Sequence, residues 1–139
     1  MRRRLRLTTY LIGAALWLTG VLWLLFHYFL ARQGAFGPQP HPLEHWWLAL
    51  HGLAAFATLW QFGLLWGRHI RSGWESRRRR RSGASLLAVL VALVLTGYLL
   101  YYPPTEGLLA PIGLVHWILG LAVSVLFFLH RYWNRFSRA

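Results

Sequence analysis

The chain has 139 residues, of which 57% are hydrophobic, 17% aromatic and only 13% charged, against about 25% charged in an average soluble domain, so its composition belongs to the membrane class. It contains no cysteine, which excludes disulfides, Cys-ligated iron–sulfur clusters, thiolate zinc sites and covalent c-type haem attachment. The net charge is +12 and every basic residue other than histidine is arginine; these arginines stand at the ends of apolar segments, a pattern that the positive-inside rule explains more simply than nucleic-acid binding does.

The first apolar segment, 7–30, follows Met1-Arg2-Arg3-Arg4. Its apolar run exceeds the 7–15 residues of a signal h-region and no small-x-small cleavage site follows, so it reads as a retained span. The connection 31–44 carries a single arginine, Arg32, and ends near His41 and Glu44. The second segment, 45–66, contains His51, and His69 lies just beyond it. Arg68, Arg71 and the arginine run 77–81 fill the next connection. The third segment, 84–102, is joined by a short connection, 103–111, to the fourth, 112–130, which His116 and His130 bracket. Arg131, Arg135 and Arg138 close the chain. Each segment approaches the ~20 residues that cross a bilayer core.

The arginine distribution predicts an orientation. Arg2, Arg3, Arg4 and Arg6 at the N-terminus, the basic loop between the second and third segments, and the C-terminal arginines all face the cytoplasm, and the two arginine-poor connections face outward. All six prolines fall in those outer connections, where interrupted helix costs nothing in lipid. Trp46, Trp47, Tyr101, Tyr102 and Trp117 mark the outer interface, and Trp66, Trp74, Tyr132 and Trp133 the inner one. With such short connections, the expected fold is all-α: a single transmembrane domain, 1–139, forming an up-down-up-down four-helix bundle in a bacterial inner membrane.

Ionisable side chains inside a span usually have a task. His51 and His69 are 18 residues apart, and His116 and His130 are 14 apart. On an ideal helix these separations are about 27 and 21 Å, and both bring each pair onto nearly one face. By depth, His51 pairs with His116 on the outer side, and His69 with His130 on the inner side. Each pair supplies two imidazoles to one haem iron, because neutral imidazole is a strong ligand that adds no buried charge. Small residues leave room for a flat macrocycle: Gly52, Ala54 and Ala55 after His51, and Gly120 one turn from His116. Thr58, Phe62, Val123 and Phe127 are expected between two such groups, and Arg68, Arg71 and Arg131 near the propionates of the inner one. The spacings of 18 and 14 differ by about 6 Å of rise, so the inner pair needs helix tilt or a break near Gly67. His41 and His45 read as interfacial, and His27 as a reserve ligand for the outer haem.

The stretch 41–83, HPLEHWWLALHGLAAFATLWQFGLLWGRHIRSGWESRRRRRSG, is followed by Thr96-Gly97-Tyr98, Tyr101-Tyr102, His116-Trp117 and His130. Together these resemble a group of small bacterial four-helix membrane proteins related to the cytochrome b-type superfamily of di-haem bundles, which includes cytochrome subunits of hydrogenases and formate dehydrogenases. The resemblance covers about residues 41–130 and leaves the first span unmatched. It implies that His51, His69, His116 and His130 coordinate b-type haem, one or two per chain, and that electrons pass to or from quinone or a partner redox protein. The 18-residue spacing departs from that superfamily's common spacing near 14.

Two functions follow as expectations. One is a membrane electron carrier acting with a partner, since Glu44, Glu75 and Glu106 are too scattered for paired-carboxylate catalysis. The other is a haem-free accessory or assembly subunit of a larger membrane complex. A transporter fits poorly, because the spans hold no carboxylate for coupling and no pair of broken helices.

Overall fold

A computed structural model describes residues 3–34, 37–75 and 80–136, without the side chains of Arg68 and residues 133–136. Of the residues singled out above, Arg2, Arg77, Arg78, Arg79 and Arg138 lie outside the described residues, as do the side chains of Arg68, Trp133 and Arg135. The elements in order are α1 (Arg3–Phe29), β1 (Arg32–Gly34), β2 (Gly37–Gln39), α2 (Glu44–Leu65), a π-helical turn (Trp66–Ile70), α3 (Arg71–Glu75), α4 (Arg80–Tyr101), a 3₁₀ turn (Glu106–Leu108) and α5 (Leu109–Phe136). Four stretches are long and apolar enough to cross a membrane: Arg3–Phe29, Glu44–Leu65, Arg80–Tyr101 and Glu106–Tyr132. By length and composition this is a membrane protein.

The helices extend beyond the apolar segments. α1 starts at Arg3, and α5 runs from Leu109 to Phe136, because intrahelical hydrogen bonding continues where the side chains turn polar. Pro111 therefore sits in the first turn of α5, not in the connection before it; there the missing N–H breaks no helical hydrogen bond. The connection 31–44 also has structure of its own. β1 and β2 form a small antiparallel ladder pairing Arg32 with Gln39, Gln33 with Pro38 and Gly34 with Gly37. Gly37 has φ +109°, a backbone conformation an L side chain would strain. A Cβ on Gly34 would lie 2.6 Å from the Gln39 side chain. Gly37 requires glycine for its φ, whereas a Cβ at Gly34 would require only the exposed Gln39 side chain to shift.

The chain divides into two compact units, Met1–Arg71 and Ser72–Ala139. In the first, α1 and α2 form an antiparallel hairpin tied at three levels. At the outer end, His27 Nδ1 meets Glu44 Oε1 at 2.7 Å, and the His27 ring stacks on Trp23. In the middle, His51 meets Thr19. At the inner end, the Gln61 amide donates to Thr9 Oγ1 at 2.7 Å and to the Leu5 carbonyl at 3.2 Å. In the second unit, α4 and α5 form another antiparallel hairpin, joined by Thr96 to His116 and by Ser82 to His130.

Among the described residues no hydrophobic side chain is buried, and Gln61, at 5% exposure, is the buried polar one. Phe56 and Trp60 are each 73% exposed, as apolar side chains are when lipid rather than a protein core is their solvent. Between such helices the hydrophobic effect contributes little; close packing and interhelical hydrogen bonds do the work. Trp46 is exposed as expected of an interfacial aromatic. Trp47 instead packs against Phe26, with its indole nitrogen buried and without a hydrogen-bond partner.

Gln61→Ala removes the inner tie of the first hairpin and is expected to cost about 1 kcal/mol. Phe56→Ala, at an exposed position, is expected to cost less than about 0.5 kcal/mol. Reversible unfolding in mixed micelles measures both, and equal effects would show that the amide carries no special share of the stability.

Candidate functional site: histidines seated on glycine

Three histidines sit in a common arrangement. In each, a ring on the second helix of a hairpin lies over a Ser-Gly or Thr-Gly step of the first. The His51 ring lies over Gly20, so that a Cβ there would be 3.0 Å from Cε1 and 3.2 Å from Nδ1. The His116 ring lies over Gly97, with the corresponding Cβ 3.4 Å from Cε1, and His130 lies over Gly83 at 3.5 Å. The residue before each glycine supplies a hydroxyl: Thr19 Oγ1 is 3.2 Å from His51 Nδ1, Thr96 Oγ1 is 2.8 Å from His116 Nδ1, and Ser82 Oγ is 3.1 Å from His130 Nδ1.

The direction of two of these hydrogen bonds can be worked out. A threonine hydroxyl has one proton. Thr96 donates to the Ala92 carbonyl at 2.8 Å, and Thr19 donates to the Ala15 carbonyl at 2.7 Å. A carbonyl only accepts, so each hydroxyl proton is committed to its own helix, and the oxygen accepts from the imidazole. His51 has a second constraint: its Nδ1 is 3.0 Å from the Leu16 carbonyl, which also only accepts. These partners favour the tautomer of His51 and His116 that carries its proton on Nδ1. In the neutral ring the lone pair that can bind a metal is then on Nε2.

The fourth predicted ligand has different surroundings. His69 is exposed and lies in the π-helical turn Trp66–Ile70, where the Arg71 N–H reaches back five residues to the Trp66 carbonyl. The helix is thus widened at Gly67, not broken. A turn with one extra residue rotates everything beyond it by about 100°. His69 lies inside this turn, so the face it shares with His51 rests on the ideal-helix count alone. His51 and His69 belong to the first unit, and His116 and His130 to the second.

The remaining polar residues are engaged elsewhere. His27, the reserve ligand, holds Glu44. His41 accepts the Leu43 N–H at 3.1 Å and so satisfies a donor at the start of α2. His41, Glu44 and His45 also border an open cleft of about 390 Å³ with Trp23 and Leu48. Thr58 bonds back to the Ala54 carbonyl, and the Arg131 guanidinium lies 5.6 Å from the centre of the Tyr132 ring. Beyond its chain neighbours, a Cβ on Gly52 meets open space, and one on Gly120 would be 3.9 Å from Leu93 Cδ2, ordinary helix packing.

The glycines that matter lie on the neighbouring helix. Gly20 and Gly83, with Thr19 and Ser82, were not expected as site residues, and Thr96-Gly97 entered only through the family resemblance. A sequence signal existed, since the chain has four Ser/Thr-Gly steps, at 19–20, 72–73, 82–83 and 96–97. The signal is incomplete, because a Cβ on Gly73 would meet nothing within 4 Å.

Among the described residues no three His, Cys, Asp or Glu side chains gather as a site for a bare metal ion. Axial ligation of a haem asks for less, two imidazoles, since the porphyrin supplies the other four nitrogens. No protein-family model, curated protein or solved structure matches the chain.

The glycine contacts predict a graded series. Gly20→Ala forces a Cβ into the His51 ring and is expected to lower hairpin stability by about 1–3 kcal/mol. Gly97→Ala and Gly83→Ala, where the Cβ would be 3.4 and 3.5 Å from the ring in ordinary contact, should both cost much less. Gly52→Ala, with open space around the new methyl group, is expected to be neutral or stabilising. Unfolding midpoints of the four variants in one detergent test the order.

Proposed function

We propose that this protein is a b-type membrane cytochrome that carries electrons within or across the bilayer, exchanging them with quinone or with a partner redox protein. The observation that supports this most is the seating of His51 and His116: each ring is held by its Nδ1 proton, the tautomer in which Nε2 is the donor. Neutral imidazole is the donor type haem iron takes in bis-histidine sites, and a chain without cysteine can hold haem only non-covalently. When bound, the haem would supply one-electron exchange at its iron.

The pairing of His51 with His116, and of His69 with His130, rests on depth counted along the sequence. The first pair is the stronger. On α2, the residue 14 positions after His51 is Leu65, whose side chain has no donor atom, and His69 lies within the widened turn. His130 has a seat of its own kind, so the inner site is weaker on the His69 side. The chain's part in the reaction is to fix the imidazoles, keep water from the ring edges and set the distance to its partners. An electron enters and one leaves, with no bond made or broken in the protein. The arginine distribution supports the proposed topology, an up-down four-helix bundle with both termini in the cytoplasm of a bacterium.

The second function, a haem-free accessory subunit, is excluded or adopted by one measurement. Purified protein expressed with adequate haem is expected to show a reduced-minus-oxidised α-band of b type, with at least one haem per chain. His51→Ala and His116→Ala are each expected to remove that haem. A wild-type ratio near two that falls to one in His69→Ala or His130→Ala adds the inner site, and a ratio indifferent to His69 removes His69 from it. Absence of any α-band in the wild type rejects the cytochrome and leaves the accessory subunit.

A further inference from the structure

We propose that Thr96 is a positioning residue, which holds His116 in the Nδ1–H tautomer and so makes Nε2 its ligating nitrogen, while at His51 Thr19 shares that task with the Leu16 carbonyl; this rests on the cytochrome reading above. Three features of the hairpins carry the inference. First, each threonine hydroxyl spends its proton on a backbone carbonyl one turn back, at 2.7 Å for Thr19 and 2.8 Å for Thr96. It can meet the imidazole only as an acceptor. Second, Gly20 and Gly97 lie beneath the rings, 3.0 and 3.4 Å from the nearest ring atom to where a Cβ would stand. The ring is thereby set close to the helix that carries the hydroxyl. Third, the same relation appears in both hairpins, within a stretch the two first helices share, ALWLTGVL at 15–22 and ALVLTGYL at 92–99.

A proton held on Nδ1 does two things for a ligand. It prevents the other tautomer, which would put the proton on the nitrogen that binds iron. It also makes Nε2 a stronger donor, since a hydrogen bond given by Nδ1–H moves electron density onto the ring. Oxidised iron gains more from a stronger donor than reduced iron does, so the bond lowers the haem potential.

The two seats are not equivalent, and this makes the proposal selective. His51 Nδ1 also faces the Leu16 carbonyl at 3.0 Å, an acceptor that no side-chain substitution removes. Thr19→Val should therefore leave most His51 in its tautomer. Thr96→Val, which keeps the side chain's shape and removes the acceptor, should release His116. Thr96→Ser keeps the hydroxyl and should restore it.

The test has two arms on the full-length chain in detergent. In protein labelled with nitrogen-15 at histidine and expressed without haem, the ring nitrogen shifts above pH 8 report the tautomer. The expected result is an Nδ1-protonated His116 in wild type and Thr96→Ser, a mixture of tautomers in Thr96→Val, and little change at His51 in Thr19→Val. In haem-loaded protein, Thr96→Val is expected to bind haem about 10–100-fold more weakly and to show a raised midpoint potential, with Thr96→Ser near wild type. If Thr96→Val leaves the His116 tautomer and the potential unchanged, the threonine is only a tie between helices and the proposal is overturned. If the wild type takes up no haem, the cytochrome reading fails and the ligand role of these residues fails with it, whereas the first arm still reports whether the threonines set the tautomer.

Discussion

The hydrogen bond between an imidazole and a threonine or serine hydroxyl, made across a glycine, is the contact on which each hairpin depends. In lipid the apolar faces of two helices gain little by meeting, because the lipid is as apolar as they are. A tie must come from polar groups, and every polar group within the span has to be satisfied inside the protein. The threonines meet this by bonding twice, donating to their own helix and accepting from the neighbour. The glycine lets the ring lie close to the helix that carries the hydroxyl, most tightly at Gly20, where a Cβ would be 3.0 Å from the His51 ring.

The two hairpins use this contact different numbers of times. α4 and α5 hold two seats, spaced by 14 residues on both helices: Gly83 and Gly97 on one, His116 and His130 on the other. In α1 and α2 there is one seat, at Gly20 and His51. Counting 14 residues back from Gly20 reaches Arg6, and 14 on from His51 reaches Leu65. The inner end of the first hairpin is closed instead by Gln61 with Thr9 and the Leu5 carbonyl. A π-helical turn then follows at once, a feature often found where a helix departs from pure packing.

Much of this was legible in the chain. The four spans follow from apolar length alone, because the bilayer sets a minimum that few other constraints mimic. The histidines stood out because ionisable groups are rare in such spans. Their tautomers were not legible. A tautomer depends on what lies opposite Nδ1, and for His51 that is a backbone carbonyl and a hydroxyl more than thirty residues away. The glycine facing the His51 ring was not legible for a related reason: it is Gly20, on the neighbouring helix. The face shared by His51 and His69 was counted at 100° per residue, which holds only while every turn is α-helical, and His69 lies in a π-helical turn.

The sequence by itself determined the helical class, the four apolar stretches that can cross a membrane, and which side chains within them can titrate. These are properties of composition and local spacing, which act whatever the neighbours are. Only the tertiary structure decided which glycine lies under which histidine, which way each hydroxyl bond runs, that Trp47 turns inward onto Phe26, and that the helix widens at Gly67. Those depend on the register of one helix against its antiparallel partner. A shift of one residue in that register turns a side chain by about 100° around the helix, and no pattern within a single helix specifies it.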